Sequence, residues 1–157
     1  MATMYEDLMA LFGEIGERLA HLTDLAKEKR AAVEADDLLK LNEILNEEQA
    51  ESLAFRSLDR KRDTMLQELG LSGTALSSLE KRCPPEMRER AAQCSAQLRE
   101  HYQTYRTAAD AARKRLEQSI GEIDAVVSGV GGAPLGGPGY SGSEANLPRN
   151  MKTDFRA

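Results

Sequence analysis

The chain reads as all-α: a long antiparallel helical hairpin, a short connecting helix, a longer third helix and a Gly/Pro-rich flexible tail, a coiled-coil-like bundle. Three observations predict this. Apolar residues recur on a 3-4 spacing through most of residues 5–128, the repeat of one side of an α-helix. The breaks between these stripes are short and made of turn and cap residues. Aromatic residues make up only 4% of the chain, Trp is absent and 30% of residues are charged, which suits long helices with thin cores.

The first stripe is Tyr5, Leu8, Phe12, Ile15, Leu19, Leu22, Ala26, Lys29 and Val33, and it predicts a helix over 4–34. Gly13 and Gly16 lie inside it. Each costs about 1 kcal/mol against Ala, so a close backbone approach or a bend is expected there. Ala35-Asp36-Asp37 breaks the stripe, and an Asp at this point caps the next helix. The second stripe is Leu38, Leu41, Leu45, Glu48, Ser52, Phe55, Asp59, Arg62, Leu66 and Leu69, which predicts a helix over 37–69 that is polar inward at four places. Two arms of ~47–50 Å each, joined by a tight turn, make an αα-hairpin with a narrow seam. Lys29 falls opposite residues 43–47 in that hairpin, so either an ion pair with Glu43 or Glu47 sets its register or the lysine stem snorkels outward to solvent.

Gly70-Leu71-Ser72-Gly73 ends the second helix, with Gly70 placed as a C-terminal cap. Residues 74–82 read as a short helix capped by Thr74, with Leu76 and Leu79 turned inward. Pro84-Pro85 stops it, and Pro85 suits the first turn of a third long helix over 85–128. Its stripe is Met87, Ala91, Cys94, Leu98, Tyr105, Ala108, Ala112, Leu116, Ile120, Ile123 and Val127. At ~65 Å this helix outruns either arm of the hairpin, so its late turns overhang or are covered by something else. The small residues around Ala108-Ala109-Asp110-Ala111-Ala112 predict close packing on the hairpin. These elements form one bundle domain, 1–128. Seven of the 12 Gly and three of the five Pro then fall within 129–157, a composition that predicts a flexible tail. Inside it, over 146–155, Leu147, Met151 and Phe155 stand at i, i+4 and i+8, a short amphipathic segment able to dock on a helical groove.

Several function classes are disfavoured. A net charge of -5 argues against nucleic-acid binding, which needs a basic face. No run approaches the ~18 consecutive apolar residues of a membrane span, and the acidic start (Glu6, Asp7, Glu14) is not a signal peptide, so no membrane insertion and a cytoplasmic location are expected. Cys83 and Cys94 are neither a C-x-x-C pair nor a disulfide framework, and Cys94, on the stripe, reads as a buried thiol. His21 and His101 lie at a similar depth in their helices if these run parallel. No Glu-x-x-His or His-x-x-x-His pattern joins them, so no metal and no cofactor are expected. The basic clusters at 60–62 and 113–115 alternate with acids and read as solvated faces. With no phosphate loop and no assembled nucleophile and base, the chain does not read as an enzyme.

The run Leu22-x-x-Leu25-x-x-x-Lys29-Arg30-x-Ala32, followed by Asp37-Leu38-x-x-Leu41, Gln49, Leu53, Leu58-x-Arg60-x-Arg62 and Leu66-x-x-Leu69-Gly70, resembles the flagellar export chaperones of the FlgN type. Arg115-Leu116-Glu117-Gln118-Ser119-Ile120 with Ile123 is similar to that family's late-helix signature, and Tyr140 to the tyrosine of its Gly-rich tail. One departure is Ala112, where the family often carries an asparagine. The resemblance implies a cytoplasmic chaperone without ATPase activity. It would bind the terminal helical segments of the hook–filament junction proteins FlgK and FlgL, prevent their premature assembly and deliver them to the type III export gate at FlhA. Because the third helix outruns the hairpin, the guest helix is expected on Leu116, Ile120, Ile123 and Val127, with Ala108 and Ala112 as the floor. Leu147, Met151 and Phe155 are expected to cover that surface when no guest is bound, and Tyr140 to contact the export gate. The alternative is a structural or regulatory coiled-coil protein that self-associates, at least weakly, through its helices.

Overall fold

The computed structural model describes residues 2–129. Its helices are α1 (Ala2–Glu34), α2 (Leu38–Glu68), α3 (Leu76–Arg82) and α4 (Arg88–Gly129), and a 3₁₀ turn at Pro85–Met87 leads into α4. The all-α architecture expected from the stripes is the architecture observed. Tyr140, Leu147, Met151 and Phe155 lie outside the described residues.

The centre of the bundle is α1. It packs against α2 on one side and, more extensively, against α4 on another. Its whole apolar stripe is buried, and Met9, Leu11, Leu25 and Ala32 are buried beside it. A narrow single seam is therefore the wrong description of this helix: two neighbours cover a wide arc of its surface. Helix α2 runs antiparallel to α1. The turn that joins them places Asp36 at φ 55°, a left-handed conformation that Asp tolerates, and Asp37 Oδ1 accepts the Lys40 N–H at 3.1 Å as the cap of α2. Lys29 does make an inter-helix ion pair, but with Glu48 at 3.0 Å rather than with Glu43 or Glu47. Glu48 is the one of the three that lies on the inward stripe; Glu43 turns outward toward Lys40 at 3.9 Å.

Helix α4 runs parallel to α1. Arg90 near its start lies 3.9 Å from Glu6, and eleven residues later its His101 rests on Gly16. A Cβ at Gly16 would stand 2.9 Å from His101 Cδ2, whereas a Cβ at Gly13 would meet open space. The close approach anticipated from the two glycines belongs to Gly16 alone. Helices α2 and α4 reach each other through long side chains. The Tyr102 ring stands edge-on to Phe55, with centroids 6.4 Å apart, and its hydroxyl accepts a hydrogen bond from Arg62 at 3.2 Å. Arg62 also pairs with Asp59 at 2.7 Å, and both are buried, as their inward positions on the second stripe implied.

The two ends of the bundle differ. At one end Gly70 and Gly73, both at positive φ, let the chain double back, and α3 lies against α4. Leu71, Leu76, Leu79, Cys83 and Met87 join Tyr5, Leu8 and Phe12 there in one continuous core. Thr74 is not the cap of α3. That position belongs to Ala75, which makes no side-chain cap bond, while the Thr74 hydroxyl accepts from Arg82 Nη1 at 2.7 Å. Cys94 is only half-buried, because Ser95 takes the inward slot; the enclosed thiol is Cys83, and burial pushes its pKa up against the opposing pull of Arg88. At the other end the core dwindles to Leu25, Ala32 and Ile44, flanked by Leu41. Leu38, first on the second stripe, is 75% exposed there, because α1 stops at Glu34 and offers it no cover.

Replacing Gly13 by Ala should raise stability by about 0.5–1 kcal/mol in urea denaturation, the helix-propensity gain alone. Gly16→Ala should gain less or lose stability, because the imidazole must yield, and should recover the full gain in a His101→Ala background. Strict additivity of the two substitutions would contradict the close approach.

Candidate partner-binding surface

The inner seam of α4 can be followed residue by residue. Ala91, Ser95, Leu98, Tyr102, Tyr105, Ala112 and Leu116 are buried, and Ala109 packs against the core between them. The steps alternate three and four, the repeat of a helix that keeps one side on its neighbour. Where that neighbour ends follows from the register. Glu6 sits beside Arg90, so Glu34, at the end of α1, comes level with Gln118. Residues 119–129 then project about 16 Å beyond α1 at 1.5 Å per residue.

The same spacing continues into this overhang as Ser119, Ile123 and Val126, and here burial stops. Ala112 is 0% exposed and Leu116 9%, but Ile123 is 48% and Val126 68% exposed. The change coincides with the end of α1, so it reflects the loss of a partner helix and not a change in the seam's chemistry. Of the six residues nominated from the sequence, Ala112 and Leu116 pack into the chain's own body. Ala108, Ile120 and Val127 are half-buried, and Ile123 is open. The small residues at 108–112 have the packing role expected of them: they let α4 lie close to the bundle. Val126 escaped the sequence reading, and so did Ser95 and Tyr102. The 3-4 alternation from Ala91 through Leu116 contains Ser95 and Tyr102, and its continuation reaches Val126; a stripe drawn through Cys94 and then Tyr105 follows the other edge.

The polar surroundings are modest. Arg115 Nη1 donates to Ser119 Oγ at 2.8 Å, and Gln118 Nε2 to Glu122 Oε1 at 3.4 Å. Asp124 keeps one carboxylate oxygen enclosed without a hydrogen-bond partner among the described residues. Deeper in the seam, burial and the nearby Glu48 carboxylate push the Tyr105 hydroxyl above the usual tyrosine range, so it stays a neutral phenol. His21 and His101 are not brought together: His21 faces Glu51 at 3.8 Å and His101 lies on Gly16. Among the described residues no group of three or more His, Cys, Asp or Glu is placed to hold a metal ion. A shallow hollow between α3 and α4 is lined by Glu80, Lys81, Arg88, Glu89 and Ala92, charges of both signs open to solvent. No described helix is long and apolar enough to cross a membrane.

Comparison with known families gives the chain's affiliation. The family model described as FlgN protein matches residues 1–146. The chain belongs to the FlgN family. No curated protein and no solved structure matches it. Membership makes this FlgN-family chain a chaperone of the flagellar system and not an enzyme.

The contrast along the seam has a direct consequence for stability. Leu116→Ala should cost about 2–3 kcal/mol in chemical denaturation, whereas Val126→Ala should change stability by less than about 0.5 kcal/mol. Equal losses at the two positions would mean that the overhang is covered after all.

Proposed function

We propose that this FlgN-family chain is a cytoplasmic export chaperone that holds a terminal helix of the hook–filament junction proteins FlgK and FlgL on the overhanging part of α4 and carries them to the export gate protein FlhA. One observation carries the reading: the inner seam of α4 continues through Ile123 and Val126 after α1 has ended, exposed and with no partner helix among the described residues. A guest that polymerises through its own terminal helices needs them masked before export. A seam lacking its neighbour accepts such a helix by helix-in-groove packing. Ile120, Ile123 and Val127 are the contacts we assign to the guest, with Leu116, Ala112 and Ala108 as the supporting layer beneath. Tyr140 is assigned to the export gate.

Ile120→Asp combined with Ile123→Asp should abolish co-purification with FlgK while the helical circular-dichroism signal stays unchanged. In sedimentation the wild-type chain alone should be a monomer and should form a 1:1 complex with the guest. Retained binding by the double variant, or a stable dimer held through the Ile123 seam, would overturn the assignment. Within the same reading, Leu147, Met151 and Phe155 compete with the guest for this surface. Removing residues 130–157 should then tighten guest binding in titration calorimetry, and equal or weaker affinity would rule the competition out.

A further inference from the structure

Four of the five large apolar residues most exposed in the described chain, Leu38, Leu39, Ile123 and Val126, lie at one end of the bundle. Leu38 (75%) and Leu39 (83%) open α2 at the hairpin tip, where the core has thinned to a few residues. Ile123 and Val126 stand on the part of α4 that rises past that tip. Tip and overhang make a step, with α4 as its wall and the hairpin end as its floor. The wall is about 16 Å high and a helix with side chains is about 10–12 Å across, so one helix crossing the tip fits against both surfaces.

The charge at this end is mainly acidic, although Arg30 and Arg115 reach in from the turns below to Glu34 and Ser119. Over residues 34–40 and 118–129 the carboxylates are Glu34, Asp36, Asp37, Glu122 and Asp124, and the single cation is Lys40. Glu34 is engaged by Arg30 on its own helix at 3.1 Å, and Lys40 lies 3.9 Å from Glu43. The apolar step is therefore rimmed by acids.

We infer that Leu38 and Leu39 are a second wall of the guest site, and that the step selects an amphipathic helix whose apolar stripe is flanked by Lys or Arg. The inference rests on the proposed chaperone reading and extends it from one helix to two elements. Apolar contact with floor and wall gives affinity. The acidic rim gives orientation and speed of capture, and it makes binding salt-dependent. A helix with an acidic border would meet repulsion from Asp36, Asp37, Glu122 and Asp124 and would be rejected.

The test uses the full-length chain and FlgK as probe, with affinity measured by titration calorimetry across a salt series. Leu38→Glu with Leu39→Glu places acids at the N-terminus of α2, where the helix dipole favours them, so the fold should hold; circular dichroism checks this. This variant should lose about tenfold or more in affinity. Asp36→Asn, Asp37→Asn and Glu122→Gln together keep the turn and the cap, because Asn serves both roles. That variant should bind about threefold or more weakly at low salt and show a flatter salt dependence. If the leucine variant binds like wild type while Ile120→Asp/Ile123→Asp does not bind, the second wall is refuted and the chaperone reading stands. If neither set of substitutions affects binding, both fall. If the rim variant keeps the full salt dependence, the preference for a basic helix is refuted.

Discussion

Everything at the open end of the bundle depends on how α4 is seated on α1. The two helices run in the same direction, with Glu6 beside Arg90 and Gly16 beneath His101. Because the residue at position 16 has no Cβ, the imidazole lies almost on the backbone of α1. A larger residue would hold the helices apart or slide one along the other. Sliding by one turn would move the overhang by about 5.4 Å and change which residues of the seam remain open. A glycine in the middle of α1 thus helps to fix the length of apolar surface presented at the far end.

The bundle is built unevenly, and the unevenness has a physical logic. Near α3 the core is continuous, closed by Leu71, Leu76, Leu79, Cys83 and Met87 against the first turns of α1. In the middle, Arg62, held by Asp59 of its own helix, ties α2 to α4 by donating to the Tyr102 hydroxyl. Such a pair adds little net stability over an apolar substitute, and because both partners stand on α2 it survives any sliding of that helix; the bond that depends on the register against α4 is the one from Arg62 to Tyr102. Toward the hairpin tip, the half-buried Lys29–Glu48 pair takes over from aliphatic packing. A chaperone gains from this arrangement. The closed end holds the fold together, so the open end can remain apolar and uncovered without risk to the rest of the structure.

That separation also accounts for the contrast along α4. The same 3-4 alternation supplies Leu98 and Tyr102, which are fully enclosed, and Ile123 and Val126, which are not. Chemistry does not distinguish the two halves of the seam; only the presence or absence of α1 does. The guest binding proposed for this FlgN-family chain would reuse the interaction that folds it, helix against helix through an apolar stripe. In the proposed complex the acidic residues of the tip would add a directional preference that packing alone lacks.

The helices, their approximate ends, the capping Asp37 and the break at Gly70 were legible in the sequence, because each follows from local periodicity and cap chemistry. So were the inward Asp59 and Arg62, which occupy apolar-stripe positions. The resemblance to the FlgN family was also carried by sequence alone. Contacts between helices were less accessible. Whether Lys29 meets Glu43, Glu47 or Glu48 turns on about one helical turn of register, and periodicity does not fix the phase between two helices. Whether Cys94 or Ser95 faces inward depends on which neighbour α4 chooses, and the sequence suggested a narrow seam where α1 in fact has two partners. Leu38 reads as core by spacing and lies in solvent because α1 ends four residues earlier. Burial is a property of what stands opposite, so only the tertiary arrangement decided which part of a uniform apolar stripe would be sealed within the fold and which part left open.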